Sequence, residues 1–198
     1  MKNHAISLYD FTGEALRPWA EQGYQCFAYD LQHKQSPLSC AGQELQPADV
    51  ETFEGGGTIF YIHADLYNIG TLLQIIKRHA GCASFLSAFP VCTDMAVSGA
   101  SRFASKAKVN PEFQNEAAAH AMMCSVLADN IGCPYYIENP VSVLSTLWRK
   151  PDHTFHPYEF GGYLPSDDVH PRYPEYIAPR DAYSKKTCLW TGGGFTMP

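Results

Sequence analysis

The sequence predicts an α/β protein built on a mostly parallel sheet with helices on both faces. Short apolar runs that end in a polar or acidic residue alternate with segments whose apolar residues recur at helical spacing. That alternation favours parallel strands joined by crossovers. The 198 residues, 45% hydrophobic and 17% charged, suffice for one domain with its own core. We therefore expect a single domain over residues 1–198, with a loop-rich insertion at about residues 150–186. No apolar run approaches the ~20 residues of a membrane span, so no membrane partner is expected. The start, Met1-Lys2-Asn3-His4-Ala5, carries no apolar signal segment. Seven cysteines, odd in number and scattered through apolar stretches, read as reduced thiols of a cytoplasmic protein.

The elements follow in order. Ala5 to Tyr9 is an apolar run ending at Asp10 and reads as the first strand. Ala15 to Gln22 carries Leu16, Trp19 and Ala20 on one helical face, with Pro18 in the first turn and Gly23 closing it. Gln25 to Asp30 is the second strand. A turn-rich stretch from Gln35 to Gly57 separates it from the third, Thr58 to His63. Thr71 to His79 reads as a helix through Leu72, Leu73, Ile75 and Ile76, and Ser84 to Phe89 as a fourth strand. Pro111 to Ile131, opened by Asn110-Pro111 and ended by Gly132, is the longest helical segment. Tyr135 to Glu138 is a fifth strand, followed by a short helix around Val143 to Trp148. Residues from Lys150 to Lys186 form loops around a hairpin, and Thr187 to Trp190 is the last strand.

Ligands of open parallel sheets bind beyond the carboxyl ends of the strands. Asp10 and Gly13, Asp30, Asp65, Cys92 and Glu138-Asn139-Pro140 all stand there in the predicted order. Asp30 falls where nucleotide-binding folds keep an acceptor for ribose hydroxyls. The first turn, Asp10 to Ala15, has one glycine and no Lys-Ser/Thr pair, so it is neither a phosphate loop nor a full dinucleotide fingerprint. A cofactor without a pyrophosphate suits it, S-adenosylmethionine better than NAD. Cys92, held between Pro90-Val91 and Thr93, is either a nucleophile in a rigid turn or an inert core thiol. The net charge of −6 argues against strong unaided binding to a polyanion.

The order of these features resembles the catalytic core of the DNA cytosine-5 methyltransferases over about residues 5–191. Leu8-Tyr9-Asp10-Phe11-Thr12-Gly13 resembles the family's cofactor loop. Asp30, with Leu31, falls at its ribose acid, and Asp65, with Leu66, at the acid near the adenine. Pro90-Val91-Cys92, with Ser98-Gly99 downstream, resembles the Pro-Cys nucleophile loop. Glu138-Asn139-Pro140 resembles the Glu-Asn-Val signature, in a form associated with phage and prophage methylase-like proteins. Lys185, in Ser184-Lys185-Lys186, stands for the basic motif of the last hairpin.

The resemblance implies a Rossmann-like S-adenosylmethionine-dependent methyltransferase fold. It also implies a Cys92 thiolate that adds to C6 of cytosine, Glu138 at N3, and Asn139 orienting the loop or the base edge. The target base has to leave its stack to react, unless it arrives unpaired. Ala15 and Leu16 replace two glycines of the cofactor loop, Val91 replaces a proline, and lysines replace arginines of the hairpin motif. No counterpart of the family's target-recognition region follows, so a partner chain or the insertion is expected to read the target.

The insertion carries His153, His156, Asp167, Asp168 and His170, at spacings that suit either a metal or a solvated loop; we expect no metal. Its aromatics, Phe155, Tyr158, Phe160, Tyr163, Tyr173 and Tyr176, suit stacking on a base or packing as a lid. Three functions fit the sequence. The first is methyl transfer to cytosine C5 in DNA or in a pyrimidine nucleotide. The second is a non-catalytic module of the same fold, as a subunit or a phage counter-defence protein. The third is another enzyme that uses Cys92 and Glu138 on a pyrimidine without a methyl donor.

Overall fold

A computed structural model describes residues 3–37, 44–170 and 173–198. Eight strands, β1 (His4–Leu8), β2 (Gln25–Asp30), β3 (Asp49–Thr52), β4 (Thr58–His63), β5 (Ala83–Ala88), β6 (Tyr135–Pro140), β7 (His153–Phe155) and β8 (Thr187–Gly192), form one sheet in the order β3-β4-β2-β1-β5-β6-β8-β7. The central five, β4, β2, β1, β5 and β6, are parallel. β3 pairs antiparallel with β4, and β8 runs antiparallel between β6 and β7. The α-helices are α1 (Arg17–Glu21), α2 (Ile69–His79), α3 (Phe103–Val109), α4 (Phe113–Ile131) and α5 (Leu144–Leu147). The fold is thus α/β on a mostly parallel sheet.

Period-two alternation gives the central strands two apolar faces. Ile6, Leu8, Tyr29, Ile62, Leu86, Ile137 and Trp190 point to the first face, against Leu72 and Ile75 of α2, the small residues Ala118, Ala121 and Ala128 of α4, and Leu144 of α5. Ala5, Cys26, Ala28 and Ile59 point to the second face, under Leu16 and Ala20. The expectation of helices on both faces holds only in part. The second face carries α1 over β1, β2 and β4. Among the described residues, aromatic side chains rather than a helix lie over β5, β6 and β8, with Trp19 stacked on Phe85 at 5.3 Å.

Two elements escape sequence reading for the same reason. β3, Asp-Val-Glu-Thr, is a largely exposed edge strand inside the turn-rich stretch, and α3 buries no residue at all. Neither needs an apolar face, so neither shows a period. Part of the turn-rich stretch and one cysteine, Cys40, lie outside the described residues. Cys26, Cys82, Cys92, Cys124 and Cys188 are free thiols, and among the described residues no helix is long and apolar enough to cross a membrane.

Candidate active site at the carboxyl edge of the sheet

Strand order reverses between β1 and β5, so the crevice of the sheet opens beyond Leu8 and Ala88. Tyr9 leaves β1 with φ of 58°, a left-handed conformation that is costly for a bulky side chain and marks the turn as over-determined by its surroundings. Asp10 is buried, and its carboxylate accepts from Ser7 Oγ at 2.9 Å, Gly13 N–H at 2.8 Å and Thr12 Oγ1 at 3.2 Å. It therefore shapes the loop from within. Gly13 has φ of +72°, and a Cβ there would lie 2.8 Å from the Tyr61 ring. Phe11 is exposed, stacks on His33 at 5.7 Å and is tied through its carbonyl to His33 Nε2 at 3.1 Å.

Beside this loop the ends of β1, β2, β4 and β5 enclose a cavity of about 330 Å³. Tyr9, Leu66, Phe89 and Val91 give it apolar walls, and Asp30, Leu31 and Gln32 its polar end. Asp30 Oδ1 accepts the Gln32 N–H at 2.7 Å. Its second oxygen is available to a hydroxyl. Of the sequence-derived cofactor residues, Asp30, Leu31 and Leu66 line this cavity. Asp10, Phe11, Thr12 and Gly13 form the loop next to it and lie outside its lining. Asp65 is exposed and receives the Tyr67 N–H at 2.9 Å, so it builds a turn at the rim. Pro90, also expected at the cofactor, lies outside the lining, whereas Gln32, Ala64, Tyr67 and Phe89 are additions that sequence reading missed.

The loop after β5 is held by the strand next to it. Asn139 is fully buried, and its Nδ2 donates to the Pro90 carbonyl at 3.1 Å. Val97 N–H donates to Val141 O and Val143 N–H to Met95 O, each at 3.0 Å. From the other side, Lys106 Nζ donates to Thr93 O at 3.3 Å and pairs with Asp94. Cys92 sits half-buried in this frame, its carbonyl closing a tight turn with the Met95 and Ala96 N–H groups. The cavity above reaches Val91 and stops short of Cys92.

Glu138 belongs to the opposite face of β6 from Asn139, and burial raises its pKa above the usual carboxylate range while Lys185 pulls it down. The Lys185 Nζ lies 3.7 Å from Glu138 Oε1, which brings the two sequence-predicted residues together. Glu138 Oε1, Asn139 Oδ1 and Ser142 Oγ are buried without a hydrogen-bond partner, three unsatisfied acceptors near one strand end.

Two further cavities meet at Glu138. A groove of about 650 Å³ runs over the uncovered half of the sheet past Phe85, Phe89, Tyr136 and Phe195. A pocket of about 380 Å³ lies between Glu138, Lys185 and the insertion residues Phe160, Tyr163 and Tyr183. Phe89 borders both the 330 Å³ cavity and the groove, and Glu138 both the groove and the 380 Å³ pocket. The groove thus shares one wall residue with each of the other two spaces, and Cys92 lines none of the three. Polar residues of the insertion have local work: the His156 N–H donates to Glu159 Oε2 at 2.6 Å, and Asp168 accepts the Arg180 N–H at 2.9 Å.

No family model matches the chain, and no curated protein matches it.

Proposed function

We propose that this protein is an S-adenosylmethionine-dependent methyltransferase that acts on C5 of cytosine through a cysteine–C6 adduct. The observation that carries the reading is that the aromatic groove shares Phe89 with a nucleoside-sized cavity ending in an acid and shares Glu138 with the insertion pocket, while the Cys92 loop, which lines none of the three, is tied to the Glu138 strand through Asn139. With the edge strand β3 set aside, the order of the remaining strands is the doubly wound 3-2-1-4-5-6 with an antiparallel strand inserted before the last. That order supports the Rossmann-like methyltransferase fold. The 330 Å³ cavity suits the cofactor, since Asp30 keeps one oxygen for ribose hydroxyls and apolar side chains flank the space for adenine.

Bound S-adenosylmethionine supplies an electrophilic methyl group. Cys92, as thiolate, forms a bond to C6 and turns the ring into an enamine nucleophilic at C5. Glu138, whose burial favours its protonated form, donates to N3 as negative charge develops there. Asn139 holds the Cys92 loop through Pro90, and Lys185 limits the rise in the Glu138 pKa. Loss of the C5 proton to water and breakage of the S–C6 bond regenerate the thiolate.

Calorimetric titration with S-adenosylhomocysteine tests the donor half: saturable micromolar binding is expected, weakened at least tenfold in Asp30→Ala. Trapping on an oligonucleotide containing 5-fluorocytosine tests the acceptor half, and the adduct should vanish in Cys92→Ser. Absence of cofactor binding by the folded protein refutes the reading. The 650 Å³ aromatic groove favours a second one, a non-catalytic module that works by contact with a partner chain.

A further inference from the structure

Five of the chain's twelve tyrosines fall within residues 158–183, and all five, Tyr158, Tyr163, Tyr173, Tyr176 and Tyr183, are exposed. Tyr163 and Tyr176 are 77% and 86% accessible, far more than a side chain that packs a lid. Tyr163 and Tyr183 flank the mouth of the 380 Å³ pocket, and Phe160 stacks under Tyr163 at 6.2 Å with the rings 19° apart. The surface is built rather than loose. Arg180 Nε donates to Gly161 O at 2.8 Å, Arg180 N–H donates to Asp168 at 2.9 Å, and a Cβ on Gly161 would lie 2.3 Å from Arg180 O. Arg180 and Asp181 both hold positive φ, 58° and 51°, and Asp181 lines the pocket, so strained backbone stands at its wall.

Charge decides what such a surface takes. Residues 150–186 hold five Lys or Arg against six Asp or Glu. A near-neutral segment on an acidic protein has too few cations to bind a duplex through its phosphates, where affinity follows the number of charges neutralised. Exposed rings around a concave pocket offer stacking, which needs an unstacked base and is indifferent to phosphate count. A pocket lined by Glu138 and by the exposed rings of Tyr163 and Tyr183 suits bases that are free to stack.

Resting on the methyl-transfer reading for the identity of the base, we propose that the acceptor is unpaired cytosine in a single strand whose neighbouring bases stack on Tyr163 and Tyr183 at the 380 Å³ pocket. Duplex DNA is then a poor substrate.

Fluorescence anisotropy with a labelled cytosine-containing octamer, single-stranded and annealed to its complement, tests this, with cofactor binding measured on the same preparation. Wild-type protein should bind the single strand at least tenfold more tightly than the duplex, with a shallow dependence on salt. Tyr163→Ala with Tyr183→Ala should weaken single-strand binding at least tenfold, while the corresponding Tyr→Phe pair retains it. A change common to the alanine and phenylalanine pairs would point to the hydroxyls and overturn the stacking argument. Duplex binding equal to or tighter than single-strand binding overturns the proposal, as does binding of neither nucleic acid by protein that binds S-adenosylhomocysteine; the platform would then serve a protein partner. Single-strand binding without cofactor binding leaves the platform standing and removes the methyl-transfer reading instead.

Discussion

The tie between β6 and the Cys92 loop can be tested at one side chain. Asn139 is fully buried, and its Nδ2 is the donor that meets the Pro90 carbonyl at 3.1 Å. In Asn139→Ala that carbonyl stays buried without the donor, which costs about 1–3 kcal/mol. The same change deletes Oδ1, which has no partner of its own, and recovers part of that loss. The net effect is about 1–2 kcal/mol. For a chain of this length each kcal/mol moves the melting temperature by roughly 2–4 °C, so Tm should fall by roughly 2–8 °C. Asn139→Asp puts an acceptor against an acceptor and buries a charge, so it should be worse than alanine. Asn130→Ala serves as a control: its amide is exposed on α4, and the change should stay within about 0.5 kcal/mol. Thermal melts give the ranking, and hydrogen exchange of residues 90–97 shows where the loss is felt. An aspartate variant as stable as the alanine variant would refute the assigned donor direction.

Two buried groups make stability depend on pH in ways that can be separated. Glu138 has a folded pKa above its unfolded value of 4.5, so its burial costs nothing at pH 4 and costs more as pH rises through the folded value. Glu138→Gln should therefore gain stability relative to wild type at pH 8 and little at pH 4; a constant difference across that range would show that the carboxyl is not perturbed. His79 is fully buried with its pKa lowered to about 3 by burial, then by His4 and Arg78. The unfolded chain takes up a proton near pH 6.5 and the folded one does not. Stability should hold above pH 7 and then fall by up to ~1.4 kcal/mol per pH unit on acidification. Melts from pH 8 to pH 4 of wild type and His79→Gln check this, and parallel curves would sink it. Gly13→Ala should cost at least ~1 kcal/mol from its positive φ and its approach to Tyr61, and should weaken cofactor binding; unchanged calorimetric affinity would detach the loop from the cavity.

The strands β2 and β4 are legible to the residue because both faces are buried, which leaves uninterrupted apolar runs bounded by turn residues. Asp30 is legible for the same reason: a strand that can be placed to its last residue places the acid after it. The rest of the cavity is not. Phe89, Tyr67 and Gln32 wall it from three different connections, and only the pairing order brings them together. Asp65 shows the reverse error, since the end of β4 is located correctly but the carboxylate turns to the Tyr67 amide. The left-handed turn at Tyr9 has no sequence signal, because glycine or asparagine would announce it and tyrosine does not.

Adjacent residues of β6 take different parts because of the strand's period. Alternation sends Tyr136 and Glu138 to the second face, toward the groove and the pocket, and sends Ile137 and Asn139 to the first, toward the core and Pro90. Register with β8, Glu138 opposite Leu189 and Asn139 opposite Cys188, keeps that assignment, since a slip by one residue would exchange the two faces. The exchange would bury the carboxylate in the core and leave Pro90 without its donor, so both errors would be expensive together. A Glu-Asn pair at the end of this strand thus couples the carboxyl group that lines the pocket to the amide that holds the Cys92 loop. The protein cannot shift one against the other by sliding the strand, and the separation between the Glu138 pocket and the Cys92 loop becomes a property of the sheet itself.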